Sequence, residues 1–156
     1  TLMRTKFGLV VERAEDDELI RDFLGLLQGS HADYTIVLRE LSRFSTADGA
    51  TNETLREHFL NRDRFDEWAA RYRDRLRHER SCDDERCDRM NRVNPKYVLR
   101  NYLAQTAIEK AHNKDFSEID RLFTLLQDPF TEQPGMDAYA LPPPNWGKHL
   151  AVSCSS

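Results

Sequence analysis

An all-α fold, an irregular multi-helix domain with an extended Pro-rich C-terminal tail, is what this sequence predicts, on three observations. Apolar residues recur every three or four positions in segment after segment, the spacing that gives a helix one buried face. Nowhere do alternating β-branched residues dominate; Thr35-Ile36-Val37-Leu38 is the one tempting strand, and the helical stripe through it outvotes it. Pro134-Gly135 and Pro142-Pro143-Pro144 punctuate the last quarter, where regular structure cannot continue. The predicted organisation is a helical domain over 1–128 and an extended tail over 129–156 that carries a terminal cysteine.

The elements follow in order. Glu15-Asp16-Asp17-Glu18 places carboxylates where they complement a helix dipole. Leu19, Ile20, Phe23, Leu24, Leu26 and Leu27 then follow at helical spacing until Gly29 stops the helix. Asp33 caps a second helix with a stripe of Tyr34, Val37, Leu38, Leu41 and Phe44. Ser45 to Asn52 is small and polar throughout and reads as a loop. Thr51 or Asn52 opens a short helix carrying Leu55, Phe59 and Leu60. From about Asp63, Phe65, Trp68, Ala69, Tyr72 and Leu76 form the next apolar face.

Ser81 with Asp84 has capping-box spacing ahead of a short polar helix. Asn94-Pro95 is a helix-start signal, because Asn accepts from orphan amides and Pro at the first helical position lacks no needed donor. That helix is expected to bury Val98, Leu99, Tyr102, Leu103, Ala107 and Ile108. Asp115 with Glu118 repeats the box, and Ile119, Leu122, Phe123 and Leu126 form the last stripe before Asp128-Pro129. The tail should wrap over the helices, pinned by Phe130, Tyr139 and Trp146. One core is expected, built from Leu19, Phe23, Leu38, Leu41, Phe65, Trp68, Tyr72, Leu99, Leu103, Leu122 and Phe123.

Composition narrows the function classes. The 156 residues suit one domain; 32 % are charged and the mean hydropathy is −0.73, in keeping with thin helices and much exposed surface. A net charge of −4 and a pI near 5.7 argue against a dedicated nucleic-acid binder. No apolar run approaches the roughly 20 residues of a spanning helix, which argues against a membrane. The opening Thr1-Leu2-Met3-Arg4 has neither signal-peptide organisation nor an initiator methionine, so a piece of a longer chain is expected. Three cysteines, Cys82, Cys87 and Cys154, are an odd number without a secretion signal; a disulfide framework is not expected and a cytoplasmic location is.

Motifs with chemistry are few. His78, Cys82 and Cys87 invite a zinc reading, but a structural zinc site takes four ligands and no fourth follows at customary spacing. The run from Arg71 to Arg80 could present guanidinium groups to phosphates. Carboxylates interleave with it nearly one for one, so a solvated face with i,i+4 pairing is the simpler account. No GxGxxG or GxxxxGKS pattern opens a helix, and no motif joins a nucleophile to a base. Neither a catalytic, a cofactor-binding nor a metal-binding residue is assigned within this chain. Cys154, two residues from the last residue, is expected to be an accessible thiol and is the one candidate for redox chemistry.

The stretch Val93-Asn94-Pro95-Lys96-Tyr97-Val98-Leu99-Arg100-Asn101-Tyr102-Leu103-Ala104-Gln105, with Trp146-Gly147-Lys148 and Ser153-Cys154-Ser155-Ser156, resembles the C-terminal end of the selenoprotein O family. That family, YdiU in bacteria, comprises pseudokinase-fold protein nucleotidyltransferases. The resemblance covers nearly all of the chain, weakly from Met3 to Gly8 through Asp33 to Thr35, moderately over Phe65 to Tyr72 and strongly from Asn94 onward. In some members a selenocysteine stands at the place of Cys154. The resemblance implies AMP transfer from ATP, with Mg²⁺ or Mn²⁺, to Ser, Thr or Tyr hydroxyls of protein substrates, with UMP transfer as a variant. It further implies that nucleotide and metal belong to a kinase-like core upstream, the partner of this chain, so the chain alone is expected to be non-catalytic. Two other readings stay open: a free-standing helical module that binds a protein through an apolar groove under the Pro-rich tail, and a helical domain that contacts nucleic acid through the arginine run. Salt-dependent duplex binding separates those two.

Overall fold

The computed structural model describes residues 2–150. Among them regular structure is helical throughout: α1 (Leu2–Lys6), α2 (Asp16–Ser30), α3 (Tyr34–Leu41), α4 (Glu53–Arg56), α5 (Arg62–His78), α6 (Asp83–Asn91), α7 (Asn101–His112) and α8 (Ser117–Gln127). Two 3-10 turns, Asp137–Ala140 and Asn145–Gly147, interrupt the region expected to be extended. The chain divides between Asn94 and Pro95 into two compact units. The expected single core is thus two cores, and the grouping falls well before residue 128.

In unit 1, α2 packs chiefly on α5, and the interface is aromatic. Phe65, Trp68 and Tyr72 lie on one face of α5 at i, i+3 and i+7, and all three are buried. Trp68 and Tyr72 stack with ring centres 4.8 Å apart, and Phe23 of α2 comes within 4.4 Å of Trp68. Phe7 meets Phe23 edge-on at 5.3 Å. Burying such rings leaves polar handles that need partners. Trp68 Nε1 donates to the Leu19 carbonyl at 2.9 Å, and the Tyr72 hydroxyl donates to the Phe7 carbonyl at 2.7 Å. One aromatic stripe therefore ties the segment after α1 and the start of α2 to α5.

Gly8 is required where that segment passes α6. Its φ is +70°, and a Cβ there would lie 2.5 Å from Arg86 Cγ and 2.8 Å from Met90 Sδ. Among the caps, Asp33 accepts from the Ile36 amide at 3.0 Å as expected, and Asn61 does the same for Arg64. α2 runs through Gly29 to Ser30 and ends on a left-handed His31. Ser81 does not cap α6, which starts at Asp83 behind Cys82; the Ser81 hydroxyl is buried without a partner.

The Asn94-Pro95 start signal is also overturned. Asn94 is buried, donates from Nδ2 to the Lys6 carbonyl at 2.9 Å and accepts from Lys6 Nζ at 3.2 Å, so its side chain holds α1 instead of capping. In unit 2 the Lys96 and Tyr97 amides both donate to the Pro129 carbonyl, at 2.8 and 3.1 Å, and α7 begins only at Asn101. Leu103, Ala107 and Leu122 form the second core, with Tyr102 and Tyr139 packed against it. Of the expected core, Leu99 and Phe123 are instead 56 % and 68 % exposed; the other nine residues are buried. Trp146 meets Tyr102 edge-on at 6.0 Å, and Gly147 packs so closely that a Cβ would lie 2.7 Å from Tyr102 Cβ.

Candidate functional site

α5 is the most charged helix in unit 1, and its arginines are the first candidates for ligand contact. Each of the inner four is engaged within unit 1. Arg71 reaches α2 through Asp22. Arg73 donates to the Ala50 carbonyl at 2.6 Å and lies over the Phe44 ring. Arg77 donates to the Thr46 carbonyl and pairs with Asp48 at 2.6 Å. Arg73 and Arg77 together clamp the polar loop that Asn52 closes from within by its bonds to Ser45.

Arg75 is the buried member. Its Nε donates to Asp16 Oδ1 at 2.6 Å, its Nη1 to Glu79 Oε2 at 2.9 Å and its Nη2 to the Val11 carbonyl at 2.5 Å. Burial alone would push the Asp16 carboxyl up, but bonds from Arg75 and from the Arg13 amide outweigh it and hold it below the usual carboxylate range. The same carboxylates hold the Arg75 guanidinium protonated against its own burial. A cleft of about 290 Å³ opens beside Arg75, lined by Arg13, Glu18, Arg71, Asp74 and His78. Both signs of charge face it, and the guanidinium at its edge already carries two carboxylates, so it is not a phosphate cradle. Only Arg75–Glu79 uses the i,i+4 spacing foreseen for the run; the other pairs join separate elements.

Unit 2 carries two polar clusters and one apolar groove. Lys96 bonds Glu132 at 2.8 Å and Asp137 at 2.7 Å; burial opposes its charge, but the two carboxylates prevail and its pKa is pushed up to about 12. Glu118 accepts from Lys110 Nζ at 2.8 Å, from the Tyr139 hydroxyl at 2.6 Å and from Arg121 at 3.2 Å. Those bonds, Lys110 first, hold its carboxyl below the usual range. Glu118 is therefore unavailable for the expected capping box, although Asp115 does accept from the Ser117 amide. Between α7 and α8 lies a groove of about 380 Å³ whose walls include Leu99, Ala104, Ile119, Phe123 and Leu126, with no charged residue among them.

His78 and the two described cysteines do not share one helical stretch: α5 ends at His78, Arg80 is left-handed, and α6 begins at Asp83. Cys82 is exposed, and Cys87 is half-buried against Ser42 and Asn91. Among the described residues no three His, Cys, Asp or Glu side chains converge as metal ligands. Cys154 lies outside the described residues. An apolar groove was expected under the Pro-rich tail; its place between α7 and α8 was not singled out from the sequence. Its signal was the width of the apolar face of α8, where Ile119, Leu122, Phe123, Leu125 and Leu126 exceed what one buried stripe requires.

A family model described as protein adenylyltransferase SelO matches residues 1–127. The chain belongs to this family. Among curated relatives, the SelO-family chain is 53 % identical over 154 residues to the protein nucleotidyltransferase YdiU of Myxococcus xanthus, covering 99 % of this chain and 32 % of that protein. Identity is 52 % with the protein of the same name from Herminiimonas arsenicoxydans and 51 % with that of Burkholderia pseudomallei, again over 99 % of this chain and over 31 % and 30 % of theirs. The chain spans about a third of the length of the curated relatives it matches. Among the described residues no helix is long and apolar enough to cross a membrane.

Proposed function

We propose that this SelO-family chain is the C-terminal scaffold and redox region of a protein nucleotidyltransferase whose kinase-like core lies upstream of Thr1. That enzyme would transfer AMP from ATP, or UMP, to Ser, Thr or Tyr hydroxyls of other proteins. The observation that carries the reading is the family match over 1–127 together with relatives, named as nucleotidyltransferases, three times as long. Two observations support placing ATP and its Mg²⁺ or Mn²⁺ elsewhere: the inner arginines of α5 are bonded within unit 1, and Asp16, Glu79, Asp83 and Glu118 are each held by a cation. The reading therefore assigns nucleotide and metal to the upstream core and no chemical step to this chain, whose part is to support that core. A cytoplasmic location belongs to the same proposal.

Labelled ATP, Mn²⁺ or Mg²⁺ and a protein acceptor test it. The longer polypeptide should transfer label and the 156-residue chain should not; transfer by the short chain alone would overturn the reading. The redox part rests on the resemblance at Cys154. Cys154 and a core cysteine would each give up a proton and an electron to a low-molecular-weight disulfide, which leaves as two thiols while the protein disulfide forms. Mass spectrometry of the oxidised longer polypeptide should find Cys154 joined to an upstream cysteine. A Cys154→Ala variant with an unchanged redox response would refute it.

A further inference from the structure

The groove between α7 and α8 is lined by apolar side chains apart from Gln127 and is open to solvent. Ala104 and Ala107, three residues apart on α7, leave a depression. Ile119, Leu122, Phe123 and Leu126 face it from α8 at i, i+3, i+4 and i+7, one continuous helical face. Leu122 belongs to the small core, but Ile119 is 42 % exposed, Phe123 68 % and Leu99, at one end, 56 %. Scattered exposed hydrophobics are ordinary; three large ones on a single groove without a charge mark a contact surface. The shape, small residues on one helix facing large ones on the next, is that of a groove taking an apolar ridge from another element.

We propose that this groove is the surface on which the upstream kinase-like core docks, with Phe123 and Leu99 as its anchors; this rests on the functional reading above. Three occupants compete: the upstream polypeptide, a second copy, and some separate protein. The length of chain favours the first. Ninety-nine per cent of this sequence, α7 and α8 included, aligns at 53 % identity inside a protein of which it makes up only 32 %. Some two thirds of such a polypeptide thus lies outside this chain and would be covalently tethered to it. A tether of modest length supplies an effective concentration on the order of millimolar, which a second copy or a free protein must match in solution. An uncharged groove also offers no electrostatic steering to a diffusing partner.

The test uses the longer polypeptide. Leu99→Cys, Phe123→Cys and, as a control on the 78 % exposed Leu60, Leu60→Cys are reacted with a maleimide and read peptide by peptide, native and in urea. The Leu60→Cys site should react near its unfolded rate, and the two groove sites at least about tenfold more slowly, as docked positions do. A photo-crosslinking benzophenone amino acid in place of Phe123 should then capture a peptide from upstream of Thr1. Groove cysteines that react as fast as the control would overturn the proposal, as would a crosslink confined to these 156 residues, to a separate protein, or to a second copy with protection that fades on dilution. Protection and an upstream crosslink in a polypeptide that transfers no nucleotide would leave the docking intact and sink the functional reading; transfer without protection would do the reverse.

Discussion

Arg75 is a buried charge that ties three separate segments of unit 1 together, through Asp16, Glu79 and the Val11 carbonyl. A buried guanidinium between Asp16 and Glu79 is sustained only while both carboxylates and the Val11 carbonyl stay in place. Removing one partner strands the others without water, which typically costs about 3–5 kcal/mol. Arg75→Ala should therefore lower unfolding stability by that amount, as read from urea midpoints, whereas Arg64→Ala on the exposed face should stay within about 0.5 kcal/mol. The pH dependence has a definite sign. Asp16, Asp83 and Glu118 all have carboxyls held below their ordinary values. Their contribution is complete above an unfolded pKa of about 4 and is lost as pH falls through the lower folded values. Urea midpoints should be level down to about pH 5 and drop below it, with a shallower drop in Asp16→Asn. Gly8→Ala should cost about 1–3 kcal/mol, since the new Cβ meets Arg86 and Met90 at a positive φ.

Within elements, burial separates side chains that spacing alone makes equivalent. Leu103 on α7 and Phe123 on α8 both sit on apolar stripes, yet Leu103 is 8 % exposed and Phe123 68 %. Leu103→Ala should cost about 2–5 kcal/mol in the 156-residue chain. Phe123→Ala should stay within about 0.5 kcal/mol in the same denaturation experiment. An equal loss at both would place Phe123 in a core after all. α2, α3 and α5 were legible because each carries an uninterrupted stripe whose partner face is another such stripe. α1 was not, since five residues hold no period. Asn94 was misread because its hydrogen-bond partner, Lys6, is 88 residues away. The pairing of the α5 arginines was read as i,i+4 within the helix, whereas their partners Asp16, Asp22 and Ala50 belong to other elements. A local pattern records which face is apolar; what covers that face, and what a polar group bonds, is written elsewhere in the chain.

Across the whole chain the two cores differ in size enough to set an order of opening. Unit 1 clusters eighteen buried hydrophobic side chains, seven of them aromatic, with the indole and phenol of Trp68 and Tyr72 bonded to backbone. The cluster in unit 2 has three, helped by Tyr102 and Tyr139 and by the ion pairs of Lys96 and Glu118. Burying apolar surface is the dominant favourable term, at roughly 25 cal/mol per Å². Exposed or half-exposed ion pairs such as Lys96–Glu132 add little to it. Unit 2 should therefore open at lower free energy than unit 1. In native-state hydrogen exchange on the 156-residue chain, the central amides of α7 and α8 should exchange well before those of α5 around Trp68 and Tyr72. Equal protection in all three helices would mean that the small core is not what limits unit 2. In the longer polypeptide the amides of α7 and α8 should slow toward those of α5, because a docked core would supply the apolar cover that Leu99 and Phe123 lack. Exchange in α7 and α8 that is no slower in the longer polypeptide would show that this cover does not form.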